Sequence, residues 1–149
     1  GTGFVLNPGL TGNWWGGDER AGEGFQIEFG YAPANGALTL FAAFYTYDNM
    51  GNQVWLVAQP QGTGEVPATG TSVDVNVYQV TGPMWGADFS PDDRALVTWG
   101  TGTFSFESCT SGSFTVTPGA EAESVGFTEL GYALQRDLII SGITCPTAN

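Results

Sequence analysis

Along most of this chain apolar residues recur at every second position, the period of a strand whose two faces meet different surroundings. Phe25, Ile27 and Phe29 alternate with Gln26 and Glu28, and Val73, Val75 and Val77 alternate with Asp74 and Asn76. Phe104 and Phe106, then Phe114 and Val116, continue the pattern. The longest run, Ala37–Tyr47, departs from it. Leu38, Leu40, Ala42 and Phe44 fall on one face, while Phe41, Ala43, Tyr45 and Tyr47 fall on the other, so both faces are apolar. Such a strand buries one face in the domain core and offers the other to a loop, a ligand or another chain. Asp48-Asn49-Met50-Gly51-Asn52 separates it from a second run, Gln53–Gln59. Asn and Gly tolerate the positive φ of a tight connection, so the two runs predict a β-hairpin.

Around this hairpin the pattern predicts further strands. Gly12–Gly16 is a short aromatic one, followed by Phe25–Phe29, Val73–Val80, Ala95–Trp99, Gly102–Cys109 and Ser113–Thr117. Val125–Leu134 is the last long strand, with a bulge where its spacing slips between Phe127 and Leu130. Gly82–Arg94 reads as an irregular excursion. Asp137–Cys145 forms a tail in which Leu138, Ile139, Ile140 and Ile143 have apolar surface to bury. The fold class is therefore all-β: an antiparallel meander of about eight or nine strands, closed as a barrel or stacked as a β-sandwich. Residues 10–149 read as a single β-domain. Residues 1–9, cut off by Pro8-Gly9, read as an N-terminal arm or a first strand. The chain starts at Gly1 with no signal-like apolar stretch, as a processed or trimmed form would.

Composition sharpens this. Three Arg (Arg20, Arg94, Arg136), no Lys and no His stand against 15 acidic residues, for a net charge of -12. Nucleic acid and anionic membrane surfaces need a basic footprint, so neither is expected as a partner. No apolar run reaches the roughly 20 residues of a membrane span. Cys109 and Cys145 suit one disulfide in an oxidising compartment, worth roughly 4 kcal/mol in the chain-entropy model. Two buried thiols are the alternative.

Candidate chemistry is sparse. Without His or Lys the usual general base, Schiff-base amine and imidazole metal ligand are missing. Glu23 with Glu28, or Asp88 with Asp92 and Asp93, could form a hydrolytic carboxylate pair. Asp48–Asn52 and Asp88–Asp93 offer oxygens to Ca²⁺ but lack calcium-loop spacing. Exposed acids and turns are the preferred reading of all four. Arg20, among Asp18, Glu19 and Glu23, is expected to pin its own loop by an ion pair, and Arg136 to pair with Asp137 or Glu129. Trp14, Trp15 and Trp85 are candidates for stacking on a sugar ring.

Two motifs carry a resemblance: Trp14-Trp15…Arg20-Ala-Gly22-Glu-Gly24-Phe25 and Phe44-Tyr-Thr-Tyr47-Asp48-x-x-Gly51-x-x-x-Trp55. Over about residues 10–137, together with Gly102–Gly112 and Leu134-Gln-Arg136, the chain resembles a recurrent β-domain of secreted bacterial proteins. The opening Gly-Asn-Trp-Trp is also weakly similar to the first strand of avidin-like barrels. The resemblance implies an exported, extracellular or cell-surface β-domain and carries no catalytic residues.

The resulting expectation is a non-enzymatic secreted structural subunit without cofactor or bound metal. It self-associates into an extracellular filament or ring, with Phe4, Val5 and Leu6 pairing onto a neighbouring copy. The alternative is an extracellular module binding a carbohydrate or another small ligand.

Overall fold

The computed structural model describes residues 4–66 and 70–146. Eight strands follow in order: β1 (Gly12–Trp14), β2 (Gly24–Tyr31), β3 (Leu38–Tyr47), β4 (Gln53–Pro60), β5 (Ser72–Thr81), β6 (Ala95–Phe106), β7 (Ser111–Pro118) and β8 (Leu130–Gln135). Their order in the sheet is their order in the chain, each antiparallel to the next. The sheet curls until Trp15, just past β1, meets Gln135 at the end of β8. The two residues exchange both backbone hydrogen bonds, at 2.9 and 2.8 Å. Of the two expected architectures the chain adopts the barrel, nearly closed.

The alternating side chains decide what fills it. Phe25, Ile27 and Phe29 point inward from β2, and Val73, Val75 and Val77 from β5. Aromatic rings occupy the centre: Phe25 stacks on Phe44 at 4.2 Å, Trp14 meets Phe106 edge-on at 5.0 Å, and Phe104 lies 4.7 Å from Phe114. The predicted hairpin is β3–β4. Its turn is held by Asp48, whose carboxylate accepts from the backbone N–H of Met50 and of Asn52, each at 2.9 Å.

Three expectations change. Ala95–Trp99 and Gly102–Cys109 are one strand, β6, because Gly100 pairs with Val77 on one side and Pro118 on the other. The register slip lies instead in the β5–β6 pairing, where Val77 faces Gly100 and Tyr78 faces Thr98, leaving Trp99 as the extra residue of β6. The expected strand Val125–Leu134 shrinks to β8, and a short helix, α1 (Ala120–Ser124), precedes it. Ala and Glu favour helix, but five residues are too few to display its period.

The tail differs too. Leu138, Ile139, Ile140 and Ile143 remain more than one-third exposed instead of joining the core. Its anchor is the Cys109–Cys145 disulfide, formed as expected. Gly9 makes that anchorage possible: a Cβ there would lie 2.3 Å from Cys145 Cα.

Candidate functional site

The two ends of the barrel are built differently. At one end Phe4, Leu6 and Leu10 are buried against the core, and the Leu6 N–H donates to Gly70 O at 3.2 Å. Asn7 caps the turn that follows, its side chain accepting from Gly9 N–H. Arg136 latches this end. Its Nε donates to Cys109 O (2.6 Å), Nη1 to Thr11 O (3.0 Å) and Nη2 to Gly9 O (2.7 Å), while its guanidinium lies 4.9 Å over the Trp14 ring. Arg136 is 5% exposed, and burial lowers its pKa from the usual arginine value. The expected partners, Asp137 and Glu129, are not used. Carbonyl oxygens satisfy the fork geometry without bringing a second buried charge.

The opposite end is an open mouth. A cavity of about 220 Å³ reaches the inward faces of Phe44, Leu56, Trp99 and Val116, beside Phe127 and Leu130. Its rim joins the loop before β2, the β3–β4 turn and the segment after α1. Gly126, at φ +98°, lets the last two approach, since a Cβ there would strike the Asn49 side chain.

All polar chemistry in the mouth lies at this rim. Arg20 Nε donates to Glu23 Oε1 at 2.6 Å, and the Thr46 hydroxyl donates to Glu23 Oε2, so each carboxylate oxygen accepts one hydrogen bond. This is the loop-pinning ion pair expected for Arg20. Its side chain is about one-third exposed, so it contributes at most ~1 kcal/mol. The hydrogen bond that Arg20 donates to Glu23 raises the Arg20 pKa, and the guanidinium stacks 4.7 Å over the Tyr132 ring. Burial pushes the Tyr132 hydroxyl far above the ordinary phenol range, with Glu23 adding to the effect. Asp48 goes the other way: hydrogen bonds from Asn52 and Met50 hold its carboxyl below its usual value.

The outer face of β3 and β4 forms a second distinctive surface. Its outward positions are Phe41, Ala43, Tyr45 and Tyr47 on β3 and Gln53, Trp55, Val57 and Gln59 on β4, with no charge among them. Tyr45 and Trp55 face each other across the ladder, each 49% exposed. Val57 is buried although it lies outside the barrel core, paired with Ala43 of β3 on one side and Tyr78 of β5 on the other.

The other expected site residues are scattered. Phe4 and Leu6 fill their own chain's core and only Val5 points out; Gly1–Gly3 lie outside the described residues. Trp14 is a buried core residue, which removes it from any stacking role, and Trp15 is half-buried. Trp85 stands 97% exposed on the excursion before β6. Glu23 faces the mouth rim while Glu28 points outward from β2, so the pair shares no site. Asp88, Asp92 and Asp93 are exposed on two short 3-10 turns. Among the described residues no three His, Cys, Asp or Glu side chains converge as metal ligands, and no helix is long and apolar enough to cross a membrane. Sequence reading found the Arg20–Glu23 loop but missed Thr46 and the Trp99 floor, which are 23 and 76 positions from Glu23. Comparison with known protein families, curated proteins and solved structures finds no match.

Proposed function

We propose that this chain is an exported, non-enzymatic structural subunit that self-associates through the outer face of β3 and β4. The observation that carries the reading is the absence of charge on that face in a chain of net charge -12. Two copies meeting on a carboxylate-bearing surface would repel each other; here they bury aromatic rings and no charge. Exposed Phe41, Tyr45 and Trp55 supply the anchors, residue types that dominate interface energies. The segment before Pro8 adds nothing to this contact while Phe4 and Leu6 stay docked. The disulfide supports export, since such bonds persist in oxidising compartments.

Sedimentation velocity and negative-stain imaging of the purified chain test the reading. Assemblies should grow as salt screens the repulsion, or as pH falls towards the pI near 4.1. Trp55→Glu should leave a folded monomer. A wild-type chain that stays monomeric across these conditions rejects self-association.

A second reading, glycan binding, rests on a groove of about 350 Å³ beside the same rings, lined by Tyr45, Gln53 and Trp55. Aromatic faces and amides suit the faces and hydroxyls of a neutral sugar. Glycan-array binding lost in Trp55→Ala, on a monomeric wild type, would establish it instead.

A further inference from the structure

The mouth of the barrel is unlike the outer face in shape and chemistry, and self-association leaves it unused. We infer that it is a separate binding site for a small, neutral, single-ring compound carrying one carbonyl oxygen. Four observations define that ligand.

Size comes first. Pockets for drug-sized ligands run roughly 300–1,000 Å³, and a closed apolar cavity of about 150 Å³ accepts benzene. A space of about 220 Å³ therefore suits one substituted ring.

The floor sets the body of the ligand. Phe44, Leu56 and Val116 offer no polar side-chain atom, and the Trp99 Nε1 is buried without a hydrogen-bond partner. A monosaccharide, hydroxylated all round, would bury hydroxyls without partners there. An apolar ring would not.

The rim sets the head group. Glu23 accepts one hydrogen bond on each oxygen, from Arg20 and Thr46, and Asp48 accepts three, from the Met50 and Asn52 N–H groups and the Asn52 amide. Arg20 spends only its Nε on Glu23, which leaves the terminal amino groups of this one-third-exposed side chain as donors. These free donors suit a ligand that brings an acceptor.

Charge completes the description. The Arg20 charge is already answered by Glu23, so a ligand carboxylate would meet Glu23 and Asp48 with no free cation. A ligand ammonium would lose its hydration over the apolar floor and stand beside the Arg20 guanidinium. A neutral carbonyl avoids both penalties.

The test is an NMR titration read at the indole N–H of Trp99, identified among the five tryptophan signals by its loss in Trp99→Phe. The probes are acetophenone, benzoate, benzylamine, ethylbenzene and glucose. Acetophenone should shift the Trp99 signal saturably. Benzoate and benzylamine should bind at least tenfold more weakly, ethylbenzene severalfold more weakly, and glucose not at all. Val116→Phe, which fills the cavity from an inward position of β7, should abolish the acetophenone shift while the remaining indole signals stay dispersed. Tighter binding of benzoate, benzylamine or glucose overturns the ligand class. An unmoved Trp99 signal with every probe overturns the site, as does an acetophenone shift that survives in folded Val116→Phe. Repeating the titration on monomeric Trp55→Glu, with the same result expected, keeps the outcome separate from assembly. Loss of the shift in that variant would place the probe on the outer face and reject the mouth.

Discussion

The two ends of this barrel share the same strands and differ in what closes them. At the latched end a buried cation, a docked N-terminal segment and a disulfide converge on Gly9, and the polar partners of Arg136 are backbone carbonyls. At the mouth an exposed-side ion pair and a carboxylate-capped turn surround open space. Interactions that exclude water are worth far more than similar ones that share it. The closed end should therefore hold the stability of the fold, and the mouth should be free to vary.

Substitutions can break that contrast. The largest effect is expected for Arg136→Met, which strips three carbonyls of their donor and should lower unfolding stability by about 4 kcal/mol, read from the denaturant midpoint. A loss near that of an ordinary surface change would mean that the latch is dispensable. A paired comparison is next: Leu6→Ala at the closed end should cost about 3 kcal/mol, and Thr46→Val at the mouth only about 1 kcal/mol. Equal costs would erase the distinction between the ends. The smallest effect is a titration. Hydrogen bonds lower the Asp48 pKa, so its support of the turn is complete above the ordinary value of 3.8 and disappears as pH falls through the lower folded value. NMR should show the Met50 and Asn52 amides shifting with an Asp48 midpoint below 3.8, while amides around Arg136 stay still. A midpoint at or above 3.8 would contradict the hydrogen-bond geometry.

Much of this architecture is readable from side-chain spacing. The β3–β4 hairpin was legible because Asp48, Asn49, Gly51 and Asn52 favour a turn between two apolar runs, and both faces of β3 were assigned correctly from alternation alone. The disulfide followed from there being two cysteines. What stayed hidden depends on the backbone or on short range. Helix α1 is too brief to show a period. The single strand β6 reads in the sequence as two runs, Ala95–Trp99 and Gly102–Cys109, although the backbone of Gly100 and Thr101 pairs on both sides. Arg136 was assigned a carboxylate partner because carbonyl acceptors leave no mark on residue type, and those of Gly9 and Thr11 lie 127 and 125 positions away. The mouth was half visible: Arg20 and Glu23 sit three residues apart in one loop, but only the curl of the sheet brings Thr46 and Trp99 to them.

The exchange of hydrogen bonds between Trp15 and Gln135 also has a temporal consequence. Every other strand pairing joins chain neighbours, so the hairpins can form early and locally, whereas this closure must bring together residues 120 positions apart. Distant contacts are slow to form because the intervening chain must first be ordered. During refolding β1 and β8 are therefore expected to wait as two unpaired edges of a curved sheet. Until Arg136 reaches Gly9, either edge can pair with another molecule, so concentration should govern the yield of closed barrels.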